Sequence, residues 1–365
     1  MSLFAFELGR KKELCFAELI AFLGKDKFIE RNIDTAIFDL ELKNPMNLQN
    51  ALGGTIKIVE IFDSIPYEGS CKPLESKVLD IISKKLPEIF ANYEGKLPFA
   101  VSLLSFKNPR ELDTKKLLNF SKKTLKSLGI NCRFVNQNFS NTKPSTIYKA
   151  RVIEKGIDLC LIKGAKKLFI GGSRAIQNID AYSLRDYDKP KKDARVGMLP
   201  PKLAQVMINL AGPDTKSIYD PFCGTGTIPI EAMLMGKEAI GSDIDARLID
   251  FSKINCEWAQ KEFSTKSSFR LFQKDAQNLT KQDLPEEIDA IITEGYLGKP
   301  ISRVPDSRYQ EGSFKELANL HSRWLRNIHE LTPKNCKVVM CVTAYKIGQT
   351  LIHLPNFAPL ASQAG

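Results

Sequence analysis

Apolar and polar positions alternate in short runs through the first hundred residues. Residues 3–8 and 35–42 are apolar stretches of strand length, and residues 55–62 are rich in β-branched side chains. Between them, residues 12–23 place Leu14, Cys15, Leu19, Ile20 and Phe22 close to helical spacing. Residues 48–52 read as a short helix stopped by Gly53-Gly54. The set predicts a small ferredoxin-like α+β unit over residues 1–70, one strand short of the full complement. A second unit is expected over residues 71–172, with helices at 77–92, 109–128 and 146–161 and strands at 99–106, 132–139 and 167–170. Residues 173–199 turn polar and irregular and are expected to be a linker.

From residue 200 the period changes. Pro200-Pro201 opens a helix over 202–211, where proline suits the first turn. Strands at 217–222, 239–243, 269–274, 289–293 and 337–344 alternate with helices at 227–235, 245–261 and 313–331. Strands alternating with helices predict an α/β, doubly wound parallel sheet over residues 200–365.

Composition and charge narrow the function. No apolar run approaches the roughly 18–20 residues of a membrane span, and Glu7 interrupts the apolar core that a signal peptide would need. The eight cysteines include no C-x-x-C pair, as expected of reduced thiols in a cytoplasmic protein. The only histidines, His321, His329 and His353, form no ligand-spaced cluster, so no metal site and no histidine base are expected. Residues 101–200 hold 21 Lys and Arg against 8 Asp and Glu, which more than accounts for the net charge of +11. Such a block suits a polyanion, against the plainer reading of a solvated lysine surface. Lys122, Lys123 and Lys126 share nearly one helical face, and Lys163, Lys166 and Lys167 form a second cluster.

The strongest chemical signal is Asp220-Pro-Phe-Cys-Gly-Thr-Gly-Thr227, between an expected strand and an expected helix. Gly224 and Gly226 let backbone approach a ligand, and the helix start offers unpaired N–H groups. The next strand ends at Asp243, 23 residues after Asp220, where a carboxylate accepts the ribose hydroxyls of an adenosine ligand. The third ends before Asp275, which can accept from an adenine amino group. Ile228 and Pro229 stand where a dinucleotide fingerprint would carry its third glycine, so a phosphate ligand is disfavoured. After the fourth strand, Glu294 and Tyr296 bring a carboxylate and an aromatic ring to the same edge. A carboxylate accepting from an exocyclic amine, with a ring stacked on the base, would hold that nitrogen toward a methyl donor. The plainer reading is that Glu294 caps a turn.

The stretch Arg185-Asp-Tyr-Asp-Lys-Pro190, Gly197-Met-Leu-Pro-Pro201 and Asp220 to Ala232 resembles the THUMP-domain RNA methyltransferases, and among them the tRNA guanine-N2 methyltransferases that modify guanosine 10. The motif match runs from about residue 182 to 297. The resemblance implies a Rossmann-like S-adenosylmethionine-dependent methyltransferase domain preceded by α+β ferredoxin-like and THUMP domains. It implies tRNA as partner, held by its acceptor end, with the target base out of its stack and a small activator protein left open. Carried across, Asp220, Phe222, Cys223, Gly224 and Gly226 would cradle the methionine part of the cofactor. Pro200 and its neighbours would cover it, Asp243 and Ile244 would hold the ribose side, and Asp275 and Ala276 the adenine. Glu294 departs from the family's Asp-Pro-Pro-Tyr loop, and the terminal β-hairpin of the fold is expected to be missing. A DNA amino-methyltransferase and an RNA-binding protein with a relic pocket are the competing classes.

Overall fold

Alternation along the strands decides the first half of the molecule. A computed structural model describes residues 2–69, 72–193, 198–301 and 305–364; Gly197 of the sequence motif lies outside the described residues. The chain divides into two compact units, residues 1–181 and 182–365. Unit 1 runs β1 (Ser2–Leu8), α1 (Lys12–Leu23), β2 (Phe28–Arg31), β3 (Thr35–Leu40), α2 (Pro45–Ala51), β4 (Thr55–Pro66), α3 (Glu75–Phe90), β5 (Lys96–Leu104), α4 (Thr114–Ser127), β6 (Asn131–Phe134), α5 (Pro144–Lys149), α6 (Val152–Lys155), β7 (Ile157–Lys163) and β8 (Lys167–Ile176). The eight strands form one mixed sheet in the order β2-β3-β1-β4-β8-β7-β5-β6.

One face of this sheet meets α1 through Phe4, Phe6, Leu8 and Ile58. Further along, Val101, Leu103, Leu159 and Leu161 meet α3 and α4. The sheet is continuous across residue 70, because β4 pairs antiparallel with β8 from Lys57↔Ile176 to Pro66↔Lys167. β2, unmarked by hydrophobic pattern, supplies the strand the sequence lacked. The expected helix over 146–161 is not formed. Arg151 takes a left-handed conformation (φ 52°) between two short helices, and alternating Ile157, Leu159 and Leu161 enter the sheet as β7. The expected linker is also structured: β8 continues to Ile176, and α7 (Ile179–Tyr187) follows.

The sheet curls strongly. Asp34 and Thr35 bond to Ser105, with Asp34 Oδ1 accepting from the Ser105 N–H at 2.7 Å. β3 and β5 are five steps apart in the strand order, about 24 Å in a flat sheet at roughly 4.8 Å per strand. Only a curled sheet brings them into contact. The concave side carries Ala5, Ile37, Val59, Cys160 and Ile162, and among them a buried polar group. Lys57 Nζ donates to Asp158 Oδ2 at 2.8 Å, and Ser102 and Ser173 donate to the same carboxylate. Burial opposes the Lys57 ammonium, but Asp158 and Glu7 outweigh it and hold its pKa above the ordinary value. Burial likewise opposes the Asp158 carboxylate, yet Lys57 and the two serines hold it below its ordinary range.

Unit 2 runs α8 (Pro201–Leu210), β9 (Ser217–Asp220), α9 (Thr227–Leu234), β10 (Glu238–Asp243), α10 (Ala246–Phe263), β11 (Phe269–Gln273), β12 (Ala290–Thr293), α11 (Ser307–Leu331), β13 (Lys337–Met340), β14 (Ala344–Ile347), β15 (Thr350–His353) and α12 (Phe357–Ala364). Five strands form a parallel sheet in the order β11-β10-β9-β12-β13. The expected strand over 337–344 breaks after Met340, and β14 and β15 form a separate hairpin. Among the described residues, no helix is long and apolar enough to cross a membrane.

Removing one partner of a buried ion pair strands the other charge. Asp158→Ala should cost about 3–5 kcal/mol in urea unfolding, whereas the double variant Lys57→Met/Asp158→Leu should recover most of that loss.

Candidate active site

The strand order reverses between β9 and β12. β9 is followed by a crossover to β10 on one side, and β12 lies on the other. Asp289 ties the amino ends of the two strands together, accepting from the Lys216 and Ser217 N–H groups at 2.7 and 3.0 Å. Their pairing covers only Ala290↔Ile218 and Ile291↔Tyr219. Beyond it the loops after Asp220 and Thr293 diverge, and a crevice opens at the carboxyl ends, where open α/β sheets bind ligands.

The glycine loop is shaped by backbone it must avoid. Cys223 N–H donates to the Ser242 carbonyl at 2.9 Å, and the chain turns into α9 through Gly224 (φ 54°) and Gly226 (φ 86°). A Cβ at Gly226 would lie 2.4 Å from Ser252 Oγ, so this glycine admits α10 rather than a ligand. Asp243 accepts from the Gly224 and Asp245 N–H groups, both at 3.0 Å, which fixes its carboxylate at the end of β10. Asp275 caps the next turn by accepting from the Gln277 N–H at 2.9 Å.

These elements enclose a cavity of about 560 Å³. Asp220, Phe222, Cys223, Gly224, Asp243, Ile244, Asp275, Ala276, Glu294 and Tyr296 all line it. Two expected residues do not. Pro200 caps α8 instead, with Met198 and Leu199 reaching the cavity in its place, and Gly226 faces Ser252. Thr225, Thr227 and Ile228 also line it; they bracket Gly226 in the motif, and their position was the available signal. Leu320 comes from α11, for which the sequence carries no cue. Behind Phe222, the Trp324 ring packs edge-on at 5.6 Å and donates its Nε1–H to His321 Nδ1 at 3.0 Å. Burial pushes His321 down to about 4, so it is neutral and braces rather than titrates.

The cavity is acidic. Asp220 is buried and accepts from the Phe222 N–H at 3.0 Å. Burial pushes its carboxyl up to about 7, against the bonds from Thr293 and Phe222, with Asp243 and Glu294 adding to the rise. Burial also raises Asp243 and Glu294. No described residue hydrogen-bonds the half-buried Glu294 carboxylate, and the Tyr296 ring beside it is exposed. Five carboxylates, Asp220, Asp243, Asp245, Asp275 and Glu294, line this cavity, which disfavours a phosphate and suits a cationic ligand. Asp243 keeps lone pairs for two ribose hydroxyls, and Ile244 offers an exposed apolar side chain at the rim. The residues present therefore fit the adenosyl sulfonium of S-adenosylmethionine.

In unit 1 the two lysine clusters differ. Lys123 and Lys126 are exposed on α4, while Lys122 Nζ lies 5.5 Å over the Phe134 ring. Lys166 and Lys167 are exposed at the β7–β8 turn, but Lys163 is half-buried and paired with Glu111 at 2.6 Å. Its cation is engaged within the protein.

Fold and site together define an S-adenosylmethionine-dependent methyltransferase. Residues 189–358 match the family described as the RMKL-like methyltransferase domain. A family described as a DNA methylase matches residues 117–254. Archaeal proteins named tRNA (guanine(10)-N2)-dimethyltransferase are similar over shorter spans. That of Methanothermobacter thermautotrophicus is 40% identical over 99 residues, 27% of this chain and 27% of the relative. That of Pyrococcus abyssi is 30% identical over 156 residues, 41% of this chain and 46% of the relative. The chain thus spans less than half the length of these curated relatives. The crystal structure of TrmN from Thermus thermophilus shares the fold, with a TM-score of 0.52 and 17% identity over 100% of this chain and 92% of that one. The resemblance read from residues 182–297 is borne out.

An acid whose folded pKa lies above its unfolded value of about 4 favours the fold most at low pH, and that contribution is lost as pH rises through the folded value, here about 7. Asp220→Asn should therefore raise the melting temperature at pH 8 by roughly 5 °C. A cation binds best to ionised Asp220, so calorimetric affinity for S-adenosylmethionine should rise up to about tenfold from pH 6 to 8, and Asp220→Asn should flatten the rise.

Proposed function

We propose that this protein methylates the exocyclic N2 of a guanine in tRNA, with guanosine 10 as the target. The observation that carries the reading is Glu294: a half-buried carboxylate with no described hydrogen-bond partner, next to the exposed ring of Tyr296, in the cavity that Asp220 and Asp243 line. S-adenosylmethionine, when bound, supplies an electrophilic methyl group. The protein's part is to place and polarise the acceptor. The lone pair of an exocyclic amine is delocalised into the base, so the amine is a poor nucleophile until its N–H groups are held. Glu294 accepts from that amine, and desolvation, which raises its pKa, makes it the better proton acceptor. Tyr296 provides a face for stacking an unstacked base. Glutamate in place of the family's aspartate keeps this chemistry with one more methylene of reach.

The names of the archaeal relatives support tRNA and guanine N2 as the substrate. In this reading, residues 1–70 are a ferredoxin-like domain and residues 71–172 a THUMP domain that share one sheet, and the basic block meets the RNA backbone. A DNA amino-methyltransferase is the second reading, favoured by the DNA methylase match over residues 117–254.

Incubation with tritiated S-adenosylmethionine should label unmodified tRNA, and nucleoside mass spectrometry should find the label in N2-methylguanosine. Glu294→Gln should lower kcat about 100-fold with a far smaller change in cofactor affinity. Labelling of duplex DNA but not RNA would select the second reading, and cofactor binding without transfer to any nucleic acid would mark a relic pocket. Charge removal at Lys123 and Lys126, or at Lys166 and Lys167, should weaken tRNA binding and reduce the salt slope by about one per lost phosphate contact, measured by filter binding across salt concentrations.

A further inference from the structure

Residues 188–193, expected to be part of a loose linker, are fastened to the glycine loop. Asn255 of α10 accepts from the Lys191 N–H at 2.8 Å, donates to the Lys191 carbonyl at 2.9 Å and to the Thr225 carbonyl at 2.8 Å. Asp193 pairs with Arg247 at 2.5 Å. Between these anchors and α7, Lys189 is 4% exposed. Its Nζ donates to Thr225 Oγ1 at 3.2 Å and to Thr227 Oγ1 at 3.1 Å. Burying a lysine is costly, and no described carboxylate lies within ion-pairing distance of this one. Burial lowers its pKa, while Asp186 and Glu231 oppose from farther away.

The chemistry of the donor sets the direction of the bonds. An ammonium has hydrogens and no lone pair. Each threonine hydroxyl must therefore accept from Lys189, and each keeps its own hydrogen for another acceptor. Neither hydroxyl has a second partner among the described residues, and both threonines line the cavity. Two O–H donors backed by a buried cation make a receptor for an anion, within a cavity otherwise lined by carboxylates. The strand order says which anion. Asp275 follows β11 and Asp243 ends β10, so adenine and ribose lie toward that edge. The threonines follow β9, next to the reversal, where the amino-acid part of the cofactor falls. Lys274, a cation on the wall itself, is paired with Asp283 at 2.8 Å and belongs to the β11 side.

We propose that Lys189 is a positioning residue for the carboxylate of the cofactor's methionine part, acting through the hydroxyls of Thr225 and Thr227. The proposal rests on the cavity being an S-adenosylmethionine site. Calorimetry on the full chain tests it with two probes: S-adenosylhomocysteine, which carries the carboxylate, and 5′-methylthioadenosine, which lacks the amino-acid part. Lys189→Met should weaken S-adenosylhomocysteine about 10- to 100-fold and leave 5′-methylthioadenosine within about twofold. Thr227→Val, which keeps the ammonium and removes one hydroxyl, should show the same selective loss should the lysine variant fail to fold. Equal weakening of both probes, or no weakening of S-adenosylhomocysteine, would overturn the proposal. If the wild-type protein bound neither probe, the cofactor reading itself would fall, and this one with it.

Discussion

The reversal of strand order between β9 and β12 is the constraint on which the site depends. Asp289 clamps the amino ends of the two strands, their pairing stops after Ile291 and Tyr219, and the loops that follow part company. A ligand cavity follows from that divergence. It also decides which side chains share the cavity: Asp220 from one side of the reversal and Glu294 from the other. Neither residue's local sequence contains the other, and their mutual repulsion exists only because the topology juxtaposes them.

The cavity stores unfavourable electrostatics that a cation relieves. Burial alone would keep a carboxyl such as Asp220 neutral, and its neighbours Asp243 and Glu294 reinforce that tendency. A sulfonium reverses the balance, because attraction in a poorly solvated site is stronger than in water. The same economy of charge holds beneath the glycine loop, where the buried ammonium of Lys189 is met by two neutral hydroxyls and by no described carboxylate. Nearby, Arg185 donates to buried Glu231 at 2.6 Å and packs its guanidinium 4.5 Å from the Tyr182 ring. The segment before the cavity is therefore anchored to α9 and α10 by buried polar groups rather than by apolar packing.

In unit 1, a different device joins strands distant in sequence. Lys57, Asp158, Ser102 and Ser173 come from four strands and meet on the concave side of the curled sheet. An ion pair there confers little net stability over an apolar pair, but it penalises a slipped register heavily, since a slip would strand both charges. The continuous sheet across residue 70 rests on this pairing and on the β4–β8 ladder.

The sequence by itself determined the elements whose signal is local. Helical spacing, strand alternation and the turn chemistry of Asp220 to Thr227 were legible because each depends on neighbours along the chain. So were Asp243, Asp275 and Glu294, since the carboxyl end of a parallel strand marks one edge of the sheet whatever its partners. Only the tertiary structure decided the rest. It turned residues 157–163 into a strand, because β5 and β8 offered ladder partners that outweigh helical tendency. It showed Gly226 serving α10, Lys163 bound to Glu111, and Lys189 buried under the glycine loop. In each case the deciding partner lies tens of residues away, and what a side chain does there is set by the group it meets across space.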